Sequence, residues 1–97
     1  MAELLNDSEI TTALSSVPDW NRSGDSITRS AELPSFAAAI VAVTRVGFYA
    51  EAADHHPDID IRWRTVTFTL STHALGGLTS RDFALARQID AVLAAAV

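Results

Sequence analysis

The chain reads as an α+β protein of order α-β-β-α-β-β-α, a four-stranded antiparallel sheet with three helices on one face. Two capping-box patterns, Asn6 with Glu9 and Thr79 with Asp82, each open an apolar-periodic segment, one near either end of the chain. In the middle, Phe36, Ile40, Val43 and Gly47 recur at helical spacing through an alanine-rich stretch. Beyond it Val66, Phe68 and Leu70 alternate with Thr65, Thr67, Thr69, Ser71 and His73, the pattern of a sheet covered on one face only. Helices packed against that apolar face give the α+β class.

Taken in order, helix 1 starts at the Asn6 cap, with Leu5 and Ile10 as a hydrophobic staple, and is expected to end near Val17-Pro18. Trp20 to Arg22 and Ile27 to Leu33 read as two short strands around the turn Gly24-Asp25. Helix 2 follows Pro34 with Ser35 as its N-cap and runs to about Asp54, and Pro57 disfavours the α conformation at His56. Kept straight, the segment 58–73 would span ~50 Å, against a domain radius of ~13 Å, so it must fold back. The reversal is expected around Arg62 to Thr65, although no Asn-Gly or Asp-Gly marks it. Helix 3 begins at Thr79, with Leu78 and Phe83 as its staple, and continues through Leu85, Ile89 and Leu93.

Ninety-seven residues without repeats or linkers suit a single domain over 1–97. A chain this short buries only about two thirds of its unfolded surface, which favours a homodimer or homotetramer. Helix 2 points the same way: Ala37, Ala38, Ala39, Ala42 and Ala50 are spread around it, and few charges beyond Arg45 and Glu51 need solvent. Edge strands of a four-stranded sheet could also pair across a twofold axis. The formal net charge of −5, twelve acids against seven arginines, argues against binding nucleic acid. There is no cysteine, hence no disulfide or thiolate metal site. No stretch is expected to approach the ~20 apolar residues of a membrane span, the longest weakly polar run being Phe36 to Val43, and no secretory signal is visible. A cytoplasmic protein without a membrane or nucleic-acid partner is expected.

The chemistry concentrates in Glu51-Ala-Ala-Asp54-His55-His56-Pro57 and His73, which between them hold all three histidines. Imidazoles are the side chains suited to moving protons near neutral pH. Glu51 and His55 stand at i and i+4 and share a face if the helix reaches His55. Asp54 either orients an imidazole or caps the helix end. Asp82 is accounted for by its capping box, with a supporting role at the site as an addition. Trp20 and Trp63 could wall a planar heterocycle but read as core or interface, and Arg62 and Arg64 as solvated hairpin residues. Taken alone, His-His-Pro after a helix is a solvated turn. Two readings from other classes stand beside an acid-base enzyme: a zinc site using the histidines, which adjacent ligands disfavour, and a binding or dimerisation module.

The run Glu51-x-x-Asp54-His55-His56-Pro57, then Leu70-Ser71-Thr72-His73, then Gly77-Leu78-Thr79-x-x-Asp82, resembles the pterin-4a-carbinolamine dehydratases. The chain departs from that family at Ile59, where an aromatic is common, and near Arg64, where an Asn often stands. The resemblance implies the same fold and dehydration of a 4a-hydroxytetrahydropterin to the quinonoid dihydropterin, in tetrahydrobiopterin recycling, without metal or cofactor. It further implies that His55 and His73 act as acid-base residues across a pterin site, that His56 binds and orients substrate, and that Glu51, Asp54 and Asp82 support them. Relatives of the family form dimers through a continuous sheet and tetramers through packed helices, and animal members also partner a homeodomain transcription factor.

Overall fold

The computed structural model describes residues 3–96. Helix α1 (Asp7–Leu14) opens with the full capping box: Asn6 Oδ1 accepts from the Glu9 amide at 2.8 Å and Glu9 Oε1 from the Asn6 amide at 2.9 Å. It ends three residues short of Val17. The Ser15 and Ser16 hydroxyls donate to the carbonyls of Thr12 and Ala13, offering the last turn an alternative to helix.

Strands β1 (Asn21–Ser23) and β2 (Ser26–Glu32) flank a turn in which Gly24 takes φ +59°, a conformation that favours glycine. Helix α2 (Phe36–Ala53) follows, with the Ser35 hydroxyl capping the Ala38 amide. Strands β3 (Asp58–Arg62) and β4 (Thr65–Leu70) reverse through Trp63 and Arg64, the missing turn signal being supplied by Trp63 itself at φ +53°. That conformation is unusual for a bulky residue. It is braced by the Arg64 guanidinium, 4.7 Å from the Trp63 ring centroid and 2.8 Å from Glu32, and by the Arg64 carbonyl accepting from Leu33 N. Arg64 is therefore half-buried rather than solvated, whereas Arg62 is exposed. A 3₁₀ turn (His73–Leu75) precedes helix α3 (Ser80–Ala94).

All pairings are antiparallel, in the order β1-β2-β4-β3. The register puts Ile27 beside Leu70, and Ile59 and Ile61 beside Phe68 and Val66, on the helix side. Thr28 with Thr69 and Ser30 with Thr67 stand on the other side, their hydroxyls 3.4 and 2.7 Å apart. Ile27, Val66, Phe68 and Leu70 join Val46 and Ala50 of α2 and Phe83, Ala86 and Ile89 of α3 in one core. Trp20 belongs to this core and donates its Nε1–H to Asp90, which also binds Arg29 at 2.6 Å. The doubling back of β3 and β4 gives a radius of gyration of 13.0 Å.

Helix α2 corrects one expectation. Its 18 residues have a mean hydropathy of 1.4, enough by length and composition to cross a bilayer, because Thr44 and Arg45 interrupt the apolar run without ending the helix. Ala39, Ala42, Val46 and Ala50 turn into the core, while Phe36, Ile40, Val41, Phe48 and Tyr49 remain exposed.

Candidate functional site

The site is built where α2 ends. Asp54 adopts the left-handed conformation (φ +48°, ψ +46°), its amide donates to the Glu51 carbonyl, and the His55 amide donates to the Ala50 carbonyl at 3.1 Å. These are the two bonds of a Schellman motif, with aspartate in the place glycine usually takes. The helix thus stops at Ala53, ahead of the point Pro57 requires, and the reversal swings His55 off the helical face. Asp54 serves as a cap through its backbone.

This geometry overturns the expected pairing of Glu51 with His55. Glu51 Oε1 lies 2.7 Å from His56 Nε2, in a pair whose side chains are 80% and 55% exposed. His55 instead is buried, and its Nε2 lies 2.6 Å from Oδ1 of Asp82, which has no solvent exposure.

Asp82 is at that spot because of the capping box that starts α3. Its Oδ2 accepts from the Thr79 amide at 2.9 Å, while the Thr79 hydroxyl accepts from the Arg81 amide at 3.2 Å. Oδ2 also accepts from the buried Thr72 hydroxyl at 2.8 Å. With that proton committed, the contact of 2.8 Å between the Thr72 and Thr79 hydroxyls has Thr79 as donor. The carboxylate of Asp82 offers acceptors only, so the remaining bond requires a proton on His55 Nε2. One cap residue therefore ties together helix α3, the end of β4 and the His55 ring. The capping role visible in the sequence explains the place of Asp82 and leaves Oδ1 free for the histidine.

His73 lies just past β4 and begins the 3₁₀ turn, exposed, directly after the Thr72 that donates to Asp82. The backbone around it is fixed by the Thr72–Gly77 bridge and by Gly76 N–H donating to His73 O at 3.1 Å. The carboxylate of Asp82 thus contacts His55 directly and reaches the segment of His73 through one intervening residue. Sequence reasoning missed Thr72 and the hydroxyl bond from Thr79 to Thr72. It also missed Arg81, whose Nη2 donates to the carbonyls of Ala53 and Asp54 at 2.8 and 2.7 Å. Trp63 is 72% exposed at the hairpin tip and Trp20 is buried on Asp90, so each has a place that needs no ligand. Among the described residues no three His, Asp or Glu side chains are grouped so as to hold a metal ion.

The arrangement supplies two imidazole–carboxylate pairs with opposite characters, one buried and held by the Thr72 hydroxyl and the Thr79 amide, one open to solvent. Such groups can accept and deliver protons at adjacent atoms of a bound molecule.

The family model for pterin 4 alpha carbinolamine dehydratase matches residues 3–92. A Nocardia farcinica protein provisionally named a pterin-4-alpha-carbinolamine dehydratase is 67% identical over 88 residues, covering 91% of this chain and 93% of that protein. A similarly named Roseiflexus castenholzii protein is 57% identical over 96% of this chain and all of its own length. Among solved structures, a Brucella melitensis protein described as a transcriptional coactivator/pterin dehydratase superposes with a TM-score of 0.91 at 32% identity, over 94% of this chain and 99% of that one. A pterin dehydratase-like protein identified as a RuBisCO assembly factor of the alpha-carboxysome shares the fold at a TM-score of 0.63 and 20% identity, over 76% of this chain and 86% of that one. By fold and sequence, the chain belongs to the pterin-4-alpha-carbinolamine dehydratase family.

Proposed function

We propose that the chain, as one domain over 1–97, is an active hydro-lyase that converts a 4a-hydroxytetrahydropterin to the quinonoid dihydropterin and water. The reaction needs a proton delivered to the departing 4a-hydroxyl and a proton removed from the neighbouring nitrogen as the C=N bond forms. Both transfers suit imidazoles and need no redox step. His55 and His73 are assigned the proton transfers and His56, beside Glu51, the binding and orientation of the pterin, with Asp82 holding His55. The observation that carries the reading is the buried bond from His55 to Asp82, because a carboxylate accepting from one imidazole nitrogen fixes the tautomer and orientation that a proton-transferring ring needs. Generating the carbinolamine in situ and following its ultraviolet decay tests it: the protein should accelerate the decay at micromolar concentration, and an unchanged rate would refute the assignment. In the cell the activity would belong to the cytoplasm and to tetrahydrobiopterin recycling.

The exposed apolar face of α2 favours a second element of the reading, self-association. Phe36, Ile40, Val41 and Phe48 lie on a helix with two charged residues, and burying them in a second copy of the chain would remove apolar area from water. Light scattering should give at least twice the chain mass of 10.4 kDa, and a monodisperse monomer would refute it. The same face serves the rival reading of a binding module, which absence of any dehydratase rate would favour.

A further inference from the structure

The first turn of α3 presents two consecutive side chains to the segment that carries the paired histidines. Asp82 holds the ring of His55, and Arg81 reaches the backbone just before it, one Nη2 donating to the carbonyls of both Ala53 and Asp54. Those carbonyls belong to the C-terminal end of α2, where backbone acceptors lack helical partners and the helix dipole favours a cation. They also flank the left-handed Asp54, the residue that sets the direction in which His55 and His56 leave the helix. A residue in that conformation is held against its own preference by its surroundings.

We propose that Arg81 is a positioning residue of the site, fixing the reversal at Asp54 so that His55 meets Asp82 while His56 stays beside Glu51. The proposal rests on the dehydratase reading for its kinetic consequences, though not for its structural ones. Arg81 touches no reacting group. It acts by making the distance between the α2 terminus and the α3 terminus a property of one residue pair, Arg81 and Asp82, on a rigid helix. Displacements of about 1 Å in a catalytic group can lower a rate by as much as ~10²-fold, and this clamp limits such displacement.

The test compares Arg81→Met, which keeps the aliphatic stem without the donor, with Arg81→Lys, which restores a charged donor. In Arg81→Met the kcat for carbinolamine dehydration should fall ~10–10²-fold with a smaller change in KM, and Arg81→Lys should recover a substantial part of the loss. A helix cap with no bearing on the site would lower the melting temperature of Arg81→Met and leave kcat unchanged, and that result would overturn the proposal. A second readout is independent of activity, and its first arm needs no variant. In the wild-type protein the Arg81 guanidinium NMR signals should show restricted rotation, and in any folded Arg81→Met protein the His55 ring resonances should move. Free rotation of the guanidinium in the wild type would overturn the clamp. Should the wild type lack dehydratase activity while these signals behave as described, the dehydratase reading fails and the clamp stands.

Discussion

The two imidazole–carboxylate pairs are one residue apart in the sequence and opposite in physical character. The His55 ring is held by Asp82, whose other oxygen takes two further donors, and the whole assembly is buried. His56 and Glu51 meet at the surface, at nearly the same distance, their side chains having only each other as partners among the described residues. A bond of given length is worth far more in the first setting. There a lost partner leaves buried groups unsatisfied, whereas at the surface water replaces the partner and salt screens the charge. The buried pair is suited to fixing a ring in one tautomer and one place, and the exposed pair to adjusting to a bound molecule.

The strongest way to break this contrast is at Asp82. Asp82→Ala would strand the donors on Thr72, Thr79 and His55, and breaking a buried pair costs about 3–5 kcal/mol. Folded domains commonly have only about 5–15 kcal/mol to lose, so chemical denaturation should show a protein near its threshold. Asp82→Asn keeps the shape but brings an N–H into a site of donors. The dehydration rate should fall by ~10²–10⁴-fold with less loss of stability than in the alanine variant. Equal damage from Asn and Ala would mean that shape, not acceptor chemistry, is what Asp82 supplies.

Asp82 also marks the limit of what the sequence discloses. The capping boxes and the alternation in β4 are local patterns, and the structure has them where the residues indicate. The end of α2 was legible only to within a few residues. Pro57 sets the latest possible stop, while the actual stop depends on aspartate accepting a left-handed conformation that sequence patterns assign to glycine. That shift of two residues decides which histidine meets Glu51. The bond from Asp82 to His55 spans 27 residues and that from Thr72 to Asp82 joins the end of a strand to a helix start, so neither leaves a periodic trace. The capping box even concealed the first, because it gave Asp82 a sufficient local role.

Next in size are the histidines. His55→Ala or His73→Ala should lower kcat by ~10²–10⁴-fold in steady-state assays, and the double variant should lose much more than either. His56→Ala should act chiefly on KM. If His56→Ala lowered kcat as severely as His55→Ala, the division between a fixed and an adjustable pair would be wrong.

Thr72→Val sharpens the comparison inside the buried network. It removes one of the two donors to Asp82 Oδ2 and the acceptor of the Thr79 hydroxyl, at nearly constant volume. A loss of about 1–3 kcal/mol is expected from thermal or urea unfolding, with a reduced kcat. A neutral substitution would show that Asp82 is held by its helix alone. The smallest effect belongs to Glu51→Gln: less than about 1 kcal/mol of stability, and a change in pterin KM that shrinks at high salt.

The central claim is that Asp82 selects the protonation pattern of the His55 ring. Long-range proton–nitrogen NMR on the uniformly labelled protein, at a pH where the ring is neutral, reports it directly. A single His55 tautomer with the proton on Nε2 and a slowly exchanging Nε2–H is expected, beside a His56 ring that exchanges freely with water. A His55 ring protonated on Nδ1, or one mixing tautomers like a solvated histidine, would contradict it.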